Sequence, residues 1–386
     1  MRMRRAVSWL IFLVFILTLT GCWDARELDM LSIVAGVGID ASDQQGKYNF
    51  SFELGKAQKS RSQGKDSTQN APYLLVSATS KTMLLALQEF RFKNSRELFL
   101  HPNEVIIFGE DLARQGIAPI MDMLMRDHES RLEVWVFVAD GTASGILSAD
   151  TKQEPIPATA IERLMENASG ISKFYGTKLI QMISRLADKG TSTIIPIIKT
   201  VNEPDSTALA LSGNAVFNND KMVGKLNEDE TLGYVMAMGD VEDGNMEVPM
   251  PEGTAIMEIT SLTSNARPVL ENGRIIIELN VDAQLAIGEL QGFKNKKMDE
   301  LMPQLEKAAA VEIVNTISNT FVKTQALKTD IYGYGILIYK YYPKEWEKMK
   351  DDWDHIYAGI ELQLKVKTQL SNTGLIVDSL EMRGTK

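Results

Sequence analysis

Along this chain the spacing of apolar positions changes again and again, and each change marks a new element. Residues 6–19 are apolar except for Ser8 and Thr18, follow Arg2, Arg4 and Arg5, and run into Leu19-Thr20-Gly21-Cys22. A charged lead, an apolar core and a small-residue site make residues 1–21 an export signal; the run is shorter than the roughly 20 apolar residues a spanning helix needs. Residues 32–40 (SIVAGVGID) then read as a buried strand carrying two glycines. In residues 48–54 the pattern alternates, with Tyr48, Phe50, Phe52 and Leu54 on one face and Asn49, Ser51 and Glu53 on the other. Turn chemistry in residues 43–47 joins the two as a hairpin. Residues 56–71 show no apolar periodicity and predict a solvated loop.

From Tyr73 strand and helix patterns alternate. Strands are expected over 73–79, 104–108, 133–139 (EVWVFVA) and 193–199. Helices are expected over 80–92, with Leu84, Leu87 and Phe90 apolar, over 111–126, and in most of 157–187. That alternation predicts helices packed on a sheet in an N-terminal α/β domain over residues 22–200. A polar stretch with Pro204 reads as a linker. Strands over 208–217 and 221–226 follow, joined by Asn218-Asn219-Asp220, and then an acidic, Gly- and Pro-rich segment at 239–253. Residues 201–253 are therefore taken as a middle region or linker subdomain.

The last third is the clearest. Strands are expected over 254–261 and 274–285, with Asn272-Gly273 as a hairpin turn before the second. Leu301, Leu305, Ala309, Ile313, Ile317 and Phe321 recur every fourth residue, the mark of one long amphipathic helix with Pro303 placed in its first turn. Asp330-Ile331-Tyr332-Gly333-Tyr334-Gly335 leads into a helical stretch containing Pro343, Trp346 and Trp353, and strands are expected over 360–370 and around 375–377. A C-terminal α+β domain over 254–386 follows, a meander-like sheet crossed by the long helix. The whole chain is of mixed α+β class and multidomain.

Composition narrows the function. Hydrophobic content of 44% permits a large core, and Cys22 is the only cysteine among 386 residues, so folding has no internal disulfide to rely on. Removing residues 1–21 takes three arginines away and leaves 38 basic against 51 acidic side chains. An acidic surface of that kind argues against nucleic acid and against broad attachment to anionic lipid. Leu19-Thr20-Gly21-Cys22 resembles the bacterial lipobox, in which the cysteine thiol receives a diacylglyceryl group before the signal is cut. At about 0.8 kcal/mol per buried methylene, one acyl chain holds marginally and two or three hold stably. The membrane contact expected here is the lipid on Cys22.

The search for chemistry finds little. His101, His128 and His355 lie far apart without metal-ligand spacing, and Asp240, Glu242 and Asp243 lack the pattern of a calcium loop. Gly36-Val37-Gly38 and Gly333-Tyr334-Gly335 do not extend to a phosphate-binding fingerprint, and Asp351, Asp352 and Asp354 beside Lys348 and Lys350 read as a solvated charged face. Trp346 and Trp353, a heptad apart, point to core packing on one helical face. No catalytic residue, metal site or cofactor is expected. The two glycines at 333 and 335 suggest a close backbone approach or a positive φ.

A more specific resemblance runs through the chain in order. Cys22-Trp23-Asp24-Ala25-Arg26-Glu27-Leu28, Ala35-Gly36-Val37-Gly38-Ile39-Asp40, residues 101–110 (HPNEVIIFGE), residues 211–217 (LSGNAVF), and 330–335 with Pro343, Trp346 and Trp353 together resemble the Ger(x)C family, the C subunits of spore nutrient germinant receptors. Ala25 and Leu28 are departures in the opening segment. The resemblance implies a non-catalytic lipoprotein on the outer face of the spore inner membrane, a multidomain fold, and two integral-membrane partners, the A and B subunits. A lipoprotein solute-binding receptor would be anchored in the same way but calls for two similar lobes, and the halves of this chain do not repeat each other. A tethered envelope enzyme calls for a constellation that is not found.

Overall fold

The computed structural model describes Trp9 and residues 31–56, 72–126, 131–152, 154–204, 206–241, 243–293 and 297–372. The lipobox with Cys22, nearly all of the loop expected over 56–71 and the strand expected around 375–377 lie outside these residues. The expected hairpin forms from Leu31–Ala41 (β1) and Tyr48–Gly55 (β2), with Val37 opposite Phe52 and Ile39 opposite Phe50. Tyr73–Ser80 (β3) pairs with the outer side of β2, and Val105–Phe108 (β5) runs parallel to β1 on its other side. Trp135–Ala139 (β6), Ile194–Glu203 (β7), Ser206–Asn218 (β8) and Lys221–Leu226 (β9) continue the sheet in that order. A short ninth strand, Glu97–Phe99 (β4), was not foreseen and pairs with the N-terminal end of β1.

Both faces of this sheet are covered. Helices Met83–Lys93 (α1), Glu110–Gln115 (α2) and Ala118–Arg126 (α3) bury Phe90, Leu112 and Leu124 against one face. Ala143–Leu147 (α4) and Pro157–Ser169 (α5) pack Leu147 and Ile161 on the other, while Leu179–Leu186 (α6) joins the first set. The single helix expected over 111–126 is two, because Gly116 takes φ +128 and the Asp220 carboxylate accepts the Ala118 N–H at 3.2 Å. The stretch read as a linker around Pro204 is the turn of the β7–β8 hairpin, with Glu203 opposite Ser206. Residues 201–226, assigned above to a middle region, are thus strands of the first sheet: alternating apolar positions on β8 and β9 complete its core through Phe217 and Met222.

The second sheet holds Gly244–Met250 (β10), Gly253–Glu271 (β11), Arg274–Gln291 (β12) and Glu361–Asn372 (β13). The acidic segment expected as an exposed boundary is in part the edge strand β10, whose Met246 and Val248 point into the core. Asn272 and Gly273, at φ +49 and +79, form the expected tight turn between β11 and β12. Only the first three strands form a meander; β13 runs parallel to β12 after a helical crossover. That crossover begins with the expected long helix, Met298–Ala326 (α8), whose Leu305, Ala309, Ile313 and Ile317 are fully buried. Pro303 is its sixth residue, not in the first turn; it sits on the exposed side, where water can satisfy the carbonyl its ring leaves unbonded.

Tyr334–Tyr341 (α9), Pro343–Met349 (α10) and Trp353–Tyr357 (α11) complete the crossover. Trp346 and Trp353 therefore stand on successive helices, their rings edge-on with centroids 5.3 Å apart. Between the sheets lies an unforeseen helix, Glu228–Met238 (α7), capped reciprocally by Asn227 and Glu230. Thr231 to Ala237 are all buried, so the helix has no apolar stripe for the sequence to display. The second core extends across it to Ile194, Val216 and Leu226 of the first sheet.

Candidate functional site

The segment singled out by its glycines is the joint between the two sheets. Asp330 follows α8 after Leu327, Lys328 and Thr329, and its carboxylate accepts the backbone N–H groups of Tyr332 (3.1 Å), Gly333 (2.9 Å) and Gly335 (2.8 Å) and the indole N–H of Trp353 (3.1 Å). Burial pushes this carboxyl up to about 6, with the donors working in the opposite direction. Gly333 takes φ +77, a left-handed turn that lets the N–H groups of Tyr332, Gly333 and Gly335 converge on one carboxylate. At Gly335 the reason is space. An added Cβ would lie 2.6 Å from the Gly190 Cα and 2.8 Å from a Trp346 ring carbon.

Gly190 belongs to the loop between α6 and β7, so the first sheet grips the segment from outside. The Ser192 N–H donates to the Asp330 carbonyl at 2.7 Å, and the Ile336 N–H donates to the Gly190 carbonyl at 3.3 Å. Arg185 of α6 donates to the carbonyls of Ser192 (3.0 Å) and Ile331 (2.9 Å) and to the Tyr234 hydroxyl (3.2 Å). Tyr332 and Tyr334 stack at 5.1 Å, Tyr234 of α7 lies 5.6 Å from Tyr332, and Tyr175 meets Tyr234 edge-on at 5.1 Å. Burial holds the hydroxyls of Tyr234, Tyr332 and Tyr334 above the ordinary phenol range. Further out, Lys189 pairs with Asp351 and the Asn218 amide donates to Asp354, so two members of the acidic run expected as a solvated face tie the units together. Both carboxylate oxygens and the carbonyl of Asp330 are engaged and enclosed, an arrangement suited to holding two bodies in register.

The other residues weighed from the sequence disperse. Cys22 and His128 lie outside the described residues. His101 is exposed beside Phe99, and His355 is exposed with its Nδ1 3.3 Å from Lys328. Gly36 and Gly38 lie within β1, where a Cβ would meet Ala158 at 2.8 Å or Ala143 at 3.1 Å, so their role is the close approach of α4 and α5. Among the described residues no three His, Cys, Asp or Glu side chains gather to hold a metal ion, and no helix is long and apolar enough to cross a membrane.

Sequence reasoning did not single out Arg185 or two further buried carboxylates. Asp40 accepts the N–H groups of Ala143 (2.7 Å) and Ser144 (3.0 Å), and Glu53 accepts that of Ala158 (3.1 Å). Burial, with a smaller push from Glu104, raises the Glu53 carboxyl to about 8. The signal was present in the polar face of β2. Once helices cover both faces of a sheet, Ser51 and Glu53 become interior positions.

Comparison with known proteins divides the chain near residue 200, earlier than the sheets do, so that β9 and most of β8 fall in the second region. Residues 24–200 match the family described as spore germination protein N-terminal domain, and residues 212–374 match the one described as spore germination B3/GerAC like, C-terminal. The chain is similar along nearly its full length to spore germination protein KC of Bacillus subtilis (strain 168), at 26% identity covering 96% of this chain and 97% of that protein. It is also similar to spore germination protein B3 of the same organism, at 25% identity covering 97% and 100%. The crystal structure of the GerBC protein shares the fold, with a TM-score of 0.54 at 19% identity, covering 90% of this chain and 99% of that one. With both family regions present in order and meeting at the Asp330 joint, the protein belongs to the GerAC-like family of spore germination proteins.

Proposed function

We propose that this protein is the lipid-anchored C subunit of a spore nutrient germinant receptor, held through Cys22 on the outer face of the spore inner membrane beside integral-membrane A and B subunits. The observation that carries the reading is the order of features along the chain. A lipobox is followed within a few residues by the two family regions, and these extend almost to the end. The protein contributes no catalysis in this reading. Its exterior part consists of two units, one on each sheet, joined at Asp330–Gly335, and it acts by contact with its partners. Anchoring raises its effective concentration for a partner in the same membrane, so a weak interface suffices.

The test combines genetics with labelling. Spores lacking the protein, with any sister receptors removed, lose the response to at least one nutrient and keep the response to a trigger that bypasses receptors. The Cys22→Ala chain fails to take up radiolabelled palmitate, leaves the membrane fraction and restores the nutrient response poorly. Normal nutrient responses across a full panel in the deletion strain would overturn the assignment.

A further inference from the structure

The side of α1 that turns away from the sheet exposes Leu84, Leu85 and Phe92 beside Gln88 and Arg91. The expected core positions on this helix were Leu84, Leu87 and Phe90, but the sheet takes Met83, Ala86 and Phe90. Leu84 is left 63% exposed, Leu85 48% and Phe92 90%, and Met125 on the neighbouring α3 is 52% exposed. Between α1 and α3 runs an open cleft of about 690 Å³, its wall mixed: Leu84, Leu87 and Met123 alternate with Arg91, Asp122 and Arg126. Isolated exposed apolar residues are ordinary; several gathered on one helix and around one cleft mark a surface that meets something else.

Two observations say what it meets. One is where the chain enters. Leu31 pairs with Glu97 and Ser32 with Leu98, so the first described strand starts against β4, which forms a wall of this same cleft. Eight residues separate Cys22 from Leu31, a reach of about 30 Å even when fully extended. The lipid anchor of the proposed function therefore keeps this end of the molecule near the bilayer. The other is charge. Residues 81–97 carry Lys81, Arg91, Lys93 and Arg96 against Glu89 and Glu97, a basic surplus on a chain whose formal net charge is −10. Arg91 pairs with Glu97 and Lys93 with Glu89, which leaves Lys81 and Arg96 as the excess.

Resting on that anchored reading, we infer that the outer face of α1 lies on the membrane, with Leu84, Leu85 and Phe92 entering the interfacial layer of an anionic bilayer and the flanking lysines and arginines facing its headgroups. An apolar face rimmed by Lys and Arg is the composition that binds in the plane of such an interface. Basic side chains near an anionic surface are drawn to it, an attraction screened by salt. A bound face also fixes the orientation of the two-unit body relative to the bilayer, which a flexible tether alone does not.

The test uses the lipidated full chain reconstituted into phosphatidylglycerol–phosphatidylcholine vesicles. With Cys22 acylated, Phe92→Cys supplies a single free thiol for an environment-sensitive dye, and Val322→Cys, on an exposed position of α8, supplies the control. The dye at 92 is expected to shift to the blue and to be quenched by brominated lipid several-fold more than the dye at 322. The difference should shrink in pure phosphatidylcholine and at high salt. Equal quenching at the two sites while the protein floats with the vesicles would overturn the inference with the anchor intact. So would a photo-crosslinker at 92 that joins a membrane protein in native membranes without lipid quenching in vesicles. Failure of the anchor itself reads differently, as a reactive Cys22 thiol and protein that does not float, and the inference falls with it.

Discussion

The Asp330–Gly335 joint and the outer face of α1 are made from similar residues, aromatic and aliphatic side chains with a few charges, and use them in opposite ways. At the joint, Tyr332, Tyr334, Trp346 and Trp353 are all buried, and the one carboxylate among them is matched by four donors. On α1, Phe92 and Leu84 stand in the open, and the charges are paired only with near neighbours along the surface. The first arrangement spends its side chains on fixing one unit against the other. The second leaves them available. A mutation at the joint should therefore register in stability, whereas one on the outer face of α1 should register only where the membrane is present.

The sharpest way to break that contrast is to overfill the joint. Gly335→Val places a branched side chain against the Gly190 backbone and the Trp346 ring, and neither unit can yield without losing the hydrogen bonds that cross between them. A cost exceeding about 4 kcal/mol is expected, read as loss of cooperative unfolding or a large fall in midpoint. Gly333→Val meets no comparable clash, since its nearest neighbour is Thr191 at 3.4 Å, but it must hold φ +77, so a smaller loss of about 1–3 kcal/mol is expected. Equal unfolding curves for both variants and wild type would mean that the joint does not hold the units together.

The two regions also differ in how visible they are from sequence. The α8 periodicity, the Asn272-Gly273 turn and the β1–β2 hairpin were legible because each is local: a repeat of four, a turn dipeptide, an alternation. The glycines at 333 and 335 could be singled out, but their partner Gly190 lies on another element and no local pattern points to it. α7 was hidden because a helix buried on all sides shows no stripe. The α1 face is hard to read for a related reason: with seven apolar residues among eleven, more than one spacing fits the sheet, and packing chooses Met83, Ala86 and Phe90 over the register with Leu84 and Leu87. Cys22 was legible as a motif; its chemistry is the subject of the palmitate test above.

Charge offers a gentler probe of the joint. Asp330 is raised by burial to about 6 and Glu53, which lies outside the joint and has a single backbone donor, to about 8. Both folded-state values stand above the ordinary carboxyl range, so the folded chain holds these protons more tightly than the unfolded one. Their contribution to stability is full below about pH 4 and is lost as pH rises, through about 6 for Asp330 and about 8 for Glu53, on the order of 3 kcal/mol for Asp330 and about 5 kcal/mol for Glu53. Glu53→Gln keeps an acceptor for Ala158 and is expected to flatten the fall up to pH 8, making the variant at least as stable as wild type there. Asp330→Asn flattens only the lower part, below about pH 6, and carries a constant loss because its amide cannot accept from all four donors. Denaturant midpoints from pH 4 to 8 separate the two; identical pH profiles in both variants and wild type would show that neither carboxyl is held up by burial.

The smallest effect is expected on α1, and its smallness is what tests the comparison. Phe92 is 90% exposed, so Phe92→Ser removes little buried area, and the helix keeps Met83, Ala86 and Phe90 on the sheet. Away from such core contacts a surface change stays within about 0.5 kcal/mol. The unfolding midpoint of the Phe92→Ser protein in the absence of lipid should therefore match wild type. A core residue of the same helix supplies the contrast. Phe90→Ser strips a ring that packs edge-on against Phe52 at 5.4 Å and is expected to cost about 3–5 kcal/mol. If Phe92→Ser instead destabilised the lipid-free protein as strongly as Phe90→Ser, the ring would be part of the fold, and the face of α1 would have to be counted with the joint as interior structure.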